Sequence, residues 1–254
     1  MRAPYFSIIT ITKDNLSGLE KTAHSIQLLQ SDEWKDFEWV VIDGASSDGT
    51  IEFLKQSNAN WVSEPDNGLY DAMNKGIERS NGIYIIFMNA GDIFSQDDIL
   101  ETIQNEIDEP LPDLLYGDAL EEGHSTNQYY KTARHHRLIH KGLFTHHQAI
   151  FYRKDKIQDL RYDLKYSYAS DYDFTARFLK TNPYAHYFDI PICIFEQGGI
   201  SQKNAAKSRK EEFQIRKSLN VSLYKNILIT ARQVGTQIVK SVSAPLYWKI
   251  RGRF

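Results

Sequence analysis

Four short segments that read as β-strands end on side chains able to do polar chemistry. They are Thr10 and Thr12, Asp43, Glu64-Pro65-Asp66, and Asn89-Ala90-Gly91-Asp92. A carboxylate does not hold a phosphate directly. It holds a hard divalent cation that in turn holds phosphate, and Mg²⁺ is commonly bound by one or two carboxylates plus substrate phosphates. Asp92, after an apolar run, is suited to that task, and Asp43 could accept a hydrogen bond from the N–H of a base. A lone Asp at a strand end is more often a turn or helix cap; four such ends in order shift the weight toward a site. No Gly-x-Gly-x-x-Gly follows the first strand and no Gly-x-x-x-x-Gly-Lys-Ser/Thr occurs, which argues against a dinucleotide fold or a P-loop.

The elements that must carry these groups alternate. Phe6 to Thr12 is β-branched and reads as a strand, followed by helical spacing over Leu16 to Leu29. Phe37 to Asp43 is a second strand, and Ser47-Asp48-Gly49-Thr50 offers turn and cap chemistry before Ile51. Trp61 to Ser63 is a short third strand. Leu69, Ala72, Met73, Gly76 and Ile77 share one helix face. Ile83 to Met88 is apolar throughout, as in a strand buried on both faces. Strands separated by helices imply βαβ units, an α/β class with a mostly parallel sheet, and ligands beyond the carboxyl ends of its strands. Farther on, Asp113 to Asp118, His147 to Tyr152 and Tyr187 to Phe195 (broken by Pro191) read as strands. Glu121 to His140 reads as a hairpin or loop, and Asp171 to Leu179 as a helix. The last 50 residues read as helical, with an apolar stripe of Leu223, Ile227, Ala231, Val234, Ile238 and Val242.

Composition sets the limits. The chain has 254 residues, 41% hydrophobic and 25% charged, which is globular rather than disordered. One cysteine, Cys193, leaves no internal disulfide framework or Cys-based zinc cluster and fits a reducing compartment. No charged-then-apolar leader precedes Tyr5, so no secretory signal is expected, and no apolar run nears the roughly 20 residues of a membrane-spanning helix. The net charge of −3 is uneven: from Ile200 onward there are 12 basic and 2 acidic residues. A basic tail on an acidic body suits an anionic surface, or is simply a solvated helical face.

With these residues in view, the chain resembles the family 2 inverting glycosyltransferases, which have the nucleotide-sugar-binding GT-A fold. The resemblance is carried by Phe6 to Thr12, Val41-Ile42-Asp43-Gly44-Ala45-Ser46-Ser47-Asp48-Gly49-Thr50, the long Glu64-to-Gly76 stretch, and Phe87-Met88-Asn89-Ala90-Gly91-Asp92. His147-Gln148 and Ala169-Ser170-Asp171-Tyr172-Asp173 also match. It implies a catalytic domain over 1–200, with a nucleotide-sugar half (1–110) and an acceptor half (111–200), then a helical basic extension over 201–254. Thr10, Thr12 and Asp43 would line the nucleoside pocket. Asp66, Asn74 and Asn89 would lie near the nucleotide or donor sugar, and His147 and Gln148 on the acceptor side. Asp92 closes what resembles the family's Asp-x-Asp-type metal motif, which here reads Asn89-Ala90-Gly91-Asp92 and lacks its first carboxylate. The implied cofactor is therefore a weakly held Mg²⁺ or Mn²⁺ recruited with the nucleotide.

The resemblance also implies the base. The family's motif often reads Glu-Asp where this chain has Ser170-Asp171, so Asp171 is the expected base, with Asp173 in reserve. Taken alone, Ser-Asp before Phe174 is equally natural as a helix cap. An acceptor hydroxyl would attack the anomeric carbon opposite the departing diphosphate while the carboxylate takes its proton, worth roughly 10²–10⁴ in rate. The implied enzyme is of the hexosyl- or N-acetylhexosaminyltransferase type, using a nucleotide-sugar donor (a UDP-sugar first) and a lipid-linked or glycan acceptor. Two other readings stay open: a nucleotidyltransferase, although Thr10 to Asn15 lacks the glycine-rich loop such enzymes usually carry, and a non-catalytic nucleotide-sugar binder.

Five of eight histidines lie between His135 and His147, with no metal-helix spacing, and adjacent histidines on a strand point to opposite faces. Gly198-Gly199-Ile200-Ser201 is expected to form a loop by the diphosphate, with Lys203, Lys207, Arg209 and Lys210 able to close over it. The Ala244-to-Phe254 tail mixes Tyr247 and Trp248 with Lys249, Arg251 and Arg253, a composition suited to peripheral contact with an anionic membrane. The rival is a tail packed on protein. No nucleic-acid module accompanies it, so no nucleic-acid partner is expected. The expected location is cytoplasmic, at the inner face of the cytoplasmic membrane.

Overall fold

The computed structural model describes residues 2–31, 34–122, 128–195 and 204–242. Strands β1 (Phe6–Thr12), β2 (Phe37–Asp43), β3 (Asn60–Ser63) and β4 (Tyr84–Phe87) lie parallel in the order β3-β2-β1-β4. Helices α1 (Leu16–Leu28), α2 (Thr50–Lys55) and α3 (Leu69–Arg79) connect them. Strand alternation feeds two cores. Phe6, Ile8, Tyr84 and Ile86 face one, with Ile26 of α1. Ile9, Ile11, Ile42, Ile85 and Phe87 face the other, with Tyr70, Met73 and Ile77 of α3. The apolar 83–88 run is thus a strand covered on both sides. Gly76 is required where α3 crosses β1: a Cβ there would lie 2.4 Å from Ile9 Cγ2.

The sheet continues through β8 (Ile150–Arg153), β6 (Leu114–Glu122), β9 (Ala185–Phe195) and the two-residue β5 (Ile93–Phe94), with β7 (Gln128–Lys131) paired to β6. Strand β8 runs antiparallel to both β4 and β6, while β6 and β9 are parallel. Helices α4 (Ile99–Glu106), α5 (Lys154–Ile157) and α6 (Ser170–Leu179) complete this half. The whole is an α/β architecture with a mixed, mostly parallel sheet flanked by helices.

The chain ends, within the described residues, in α7 (Ala205–Ser218) and α8 (Leu223–Val242). Ile215 of α7 is buried against Tyr166, Ala169, Tyr172 and Ala176, around and within α6. Arg216 is fully buried and joins the two helices. Its Nε donates to Asn226 Oδ1 at 2.6 Å, its Nη2 to Thr230 Oγ1 at 2.9 Å, and its Nη1 to Glu212 Oε2 at 3.1 Å. Helix α8 therefore meets α7 through its polar side. The apolar stripe read from the sequence forms but faces outward, with Leu223, Tyr224, Ile227, Leu228 and Ile238 exposed.

Several elements differ from the sequence reading. Strand β6 runs past Asp118 to Glu122, where it pairs with β7 in a hairpin, one of the two expectations for this stretch. The segment from His147 begins as a 3-10 turn over His147–Ala149, and the strand starts only at Ile150. Pro191 does not end β9: the strand shifts register there, opposite Asp118, since proline has no N–H for the ladder. The sequence reading missed β5 and α4. Ile93-Phe94 is too short for any periodicity, and α4 buries only Ile99, Leu100 and Ile103. The Gly198-to-Ser201 loop, Lys203 and the Ala244-to-Phe254 tail lie outside the described residues.

Candidate active site

The loops after β1 and β2 are cross-braced. Asp48 accepts from the Leu16 amide at the start of α1 at 2.8 Å and from Thr50 Oγ1 at the start of α2 at 2.7 Å, which lowers its pKa. Asp14 Oδ1 accepts from the Ser47 amide at 2.9 Å, and the Asp14 amide donates to Ser46 Oγ at 2.7 Å. Asp43, at the tip of β2, is fully buried and accepts from the Ser46 amide at 3.0 Å and from the hydroxyls of Ser46 and Ser63 at 2.5 Å each. Its carboxylate thus orients two serines of the β2 and β3 ends. Asp66 folds back on Gly44, where a Cβ would lie 2.4 Å from Asp66 Oδ2, and its Oδ1 accepts from the Gly68 amide at 2.9 Å.

The two threonines of β1 part company. Thr10 is buried and accepts from Trp39 Nε1 at 3.0 Å, a core contact. Thr12, one pleat farther, has a buried hydroxyl without a partner among the described residues. Asn74 commits both ends of its amide to the backbone of Tyr162, at 3.0 and 2.8 Å. It ties α3 to the segment before α6, and Tyr162 in turn stacks between Tyr70 and Phe174.

The turn after β4 is held by Thr22 of α1, which the sequence reading did not single out. Its hydroxyl donates to the Asp92 carbonyl at 2.7 Å and accepts from the Gly91 amide at 3.0 Å. Gly91 has φ 109°, a conformation that favours glycine. The turn then meets the second half of the chain. Gln148 Nε2 donates to Asp92 Oδ2 at 2.6 Å, and Asn89 Nδ2 donates to His147 Nε2 at 3.0 Å. The other ring nitrogen of His147 lies 3.6 Å from Asp171 Oδ2. The 3-10 turn makes this possible by aiming two consecutive side chains at one strand end. His146 diverges to Glu121 and Lys131, at 3.1 and 3.0 Å.

Asp171 sits in the first turn of α6. Burial raises its carboxyl to about 6; the Tyr172 amide, donating at 2.8 Å, opposes this and the charge of Glu212 adds to it. Tyr70 OH, also unremarked in the sequence reading, donates to Asp171 Oδ1 at 3.3 Å. Burial, aided by His146, lowers His147 to about 3. At neutral pH the pair is therefore a carboxylate beside a neutral imidazole rather than an ion pair. With Nε2 accepting from Asn89, the ring proton is on Nδ1 and faces the carboxylate. Asp173 is committed elsewhere, bonded to Arg177 Nε at 2.7 Å.

The site thus gathers Asn89, Asp92, His147, Gln148 and Asp171, with Asp43 and Thr12 at the adjoining strand ends. Three of the five buried side-chain polar atoms without a partner among the described residues are Thr12 Oγ1, Asn89 Oδ1 and Gln148 Oε1. Each such atom costs about 1–3 kcal/mol unless a ligand or water meets it. No group of three or more His, Cys, Asp or Glu among the described residues could hold a metal ion. One buried carboxylate, oriented by an amide and neighboured by unmet amide oxygens, still fits a hard Mg²⁺ or Mn²⁺ ion that brings its own water and phosphate ligands.

Known proteins resemble this chain in sequence and in fold. The model of "Glycosyl transferase family 2" matches residues 7–188. A PGL/p-HBAD biosynthesis glycosyltransferase of Mycobacterium bovis (strain BCG / Pasteur 1173P2) is 33% identical over 213 residues, 79% of this chain and 80% of the relative. Among solved structures, S. aureus TarS 1-349 in complex with UDP-GlcNAc superposes with TM-score 0.66 at 18% identity, over 89% of this chain and 70% of that one. The mannosyltransferase PcManGT from Pyrobaculum calidifontis, in complex with GDP-Man and Mn²⁺, gives 0.65 at 14% identity, over 87% and 66%. At these identities the two structures speak for the fold alone.

Proposed function

This chain belongs to glycosyl transferase family 2 and is a glycosyltransferase, and from that premise we propose that it moves a hexosyl or N-acetylhexosaminyl group from a nucleotide diphosphate sugar to an acceptor hydroxyl with inversion. The donor is first of all a UDP-sugar, and the acceptor is lipid-linked or a polysaccharide. The observation that carries this reading is the Asp92–Gln148 and Asn89–His147–Asp171 contact set, which joins the strand ends to a partly buried carboxylate held near pH 6. That is the pKa range in which a carboxylate still accepts a proton with useful driving force yet is ionised at neutral pH.

In this reading Asp171 takes the proton of the acceptor hydroxyl, and neutral His147 keeps its N–H toward that carboxylate. Thr12 and the Asp43-oriented serines border the nucleoside, and Asp66 and Asn74 shape the wall of the donor pocket. A divalent ion, held by Asp92, would supply positive charge against the departing diphosphate. The fold neighbours keep both bases in the screen: the TarS structure contains UDP-GlcNAc and that of PcManGT GDP-Man. The test is a thermal-shift and turnover screen of UDP- and GDP-sugars with and without Mn²⁺. Stabilisation by a nucleotide-sugar followed by transfer or hydrolysis supports the reading. No response to any of them overturns it.

The acceptor side has its own support. Helix α8 turns its polar residues Asn226 and Thr230 to Arg216 and presents Leu223, Tyr224, Ile227 and Leu228 outward. Lys225 and Arg232 flank that stripe, and the basic tail follows it. An amphipathic helix so oriented suits the headgroup level of an anionic bilayer. No helix among the described residues is long and apolar enough to cross a membrane, so the proposed contact is peripheral, on the cytoplasmic face. Co-sedimentation with phosphatidylglycerol vesicles, compared between wild type and Ile227→Asp/Leu228→Asp, tests it. Equal binding by both proteins sinks the contact.

A further inference from the structure

We propose that the α7–α8 hairpin is part of the catalytic apparatus, because Glu211 of α7 is a positioning residue for Asp171. The inference rests on the assignment of Asp171 as base. Helix α6 has no side-chain cap of its own: its N-cap is Ala169. The anionic cap comes instead from another helix, 42 residues on. Glu211 Oε1 accepts from the Ser167 amide at 3.0 Å, and its Oε2 from the amides of Tyr168 and Ala169 at 2.8 and 3.0 Å. Three successive amides converging on one carboxylate form a small anion nest at the positive end of a helix. Asp171 follows Ala169 by two residues, so the turn that Glu211 fixes sets the position and tilt of the base.

The strut itself is anchored on two sides, to α6 and to α8. Ile215, one turn along α7, is buried against Tyr166, Ala169, Tyr172 and Ala176. Arg216, fully buried, locks α7 to α8 through Asn226 and Thr230. The neighbouring Glu212 is among the charges that raise Asp171. Glu211 makes no hydrogen bond with the ends of β1 to β4, where the donor would sit. Its loss should therefore act on the chemical step and leave donor binding alone.

The experiment compares full-length wild type, Glu211→Ala, Glu211→Gln and Asp171→Asn with whichever nucleotide-sugar the wild type turns over. It reads kcat, donor KM and the donor-induced rise in melting temperature. The expected result for Glu211→Ala is a kcat lower by about 10- to 100-fold, the penalty of a misplacement near 1 Å, with donor KM and the donor-induced shift unchanged. Glu211→Gln keeps an acceptor oxygen without the charge and is expected between the two. Wild-type kcat in Glu211→Gln and Glu211→Ala overturns the proposal, as does a loss that falls equally on donor KM. Should Glu211→Ala fail to fold, Glu211→Gln decides alone: a lowered kcat at unchanged donor KM supports the proposal, and wild-type kcat overturns it. Full activity in Asp171→Asn would instead remove the base assignment beneath it, an outcome distinct from the other two.

Discussion

Gln148 donates its side-chain amide to the Asp92 carboxylate at 2.6 Å, across 56 residues of sequence. The candidate ion ligand of the first half of the chain is thus aimed by a residue of the second. One hydrogen bond of this kind orients the carboxylate. Gln148→Leu should weaken the metal-dependent step by about 10- to 100-fold, the usual effect of losing a residue that orients a ligand. Titrating Mn²⁺ against turnover measures it, and an unchanged half-saturation would count against Asp92 as the ligand.

The pH profile follows from Asp171. Its carboxyl, raised to about 6, must be ionised to accept a proton. kcat/KM should therefore be flat above pH 7 on its acid side and fall as pH drops through about 6. His147, at about 3, adds nothing to this limb. Asp171→Asn should lose roughly 10²–10⁴ in kcat and erase the limb. A limb centred near pH 4 in the wild type would show that the base is a solvated carboxylate elsewhere.

The same carboxylate should cost stability. Its folded pKa of about 6 lies above the ordinary 3.8, so the native state binds the proton more tightly than the unfolded chain does. The penalty is absent below pH 4, grows between 4 and 6, and is complete above 6. Asp171→Asn should accordingly melt higher than wild type at pH 7 and level with it at pH 4. Calorimetry at the two pH values tests this, and a variant that melts lower at pH 7 would contradict it.

Thr22 offers a test away from the reacting groups. Thr22→Val keeps the shape but removes the hydroxyl bonded to the Asp92 carbonyl and the Gly91 amide. Leaving those groups unmet costs about 1–3 kcal/mol, which lowers Tm by about 2–4 °C per kcal/mol in a chain of this size. Because the Asn89–Asp92 turn loosens, donor KM should rise as well. A drop in Tm with donor KM unchanged would mean that the turn does not touch the donor.

Much of the first half could be read before folding. The β-branched stretch of Phe6 to Thr12, the apolar run at 83–88 and the face of α3 are local patterns, and local patterns are what a short window of sequence reports. The second half is less regular for physical reasons. The 3-10 turn at His147–Ala149 is too short to carry a period. Strand β6 continues into Glu121 and Glu122 because β7 and β9 pair with it, whatever its own propensity.

Residue types at strand ends, and their order, were enough to point to Asp43 and Asp92; the family resemblance added Asp171, and the charge count gave an acidic body with a basic end. Tertiary structure alone decided what each group faces. It turned Thr10 into the core beside Trp39 and gave the amide of Asn74 to Tyr162. It set His147 between Asn89 and Asp171, and brought Glu211 under the base. The reason is that partners so far apart in sequence, up to 88 residues for Asn74 and Tyr162, depend on how layers pack, and packing is a property of the whole chain rather than of any window within it.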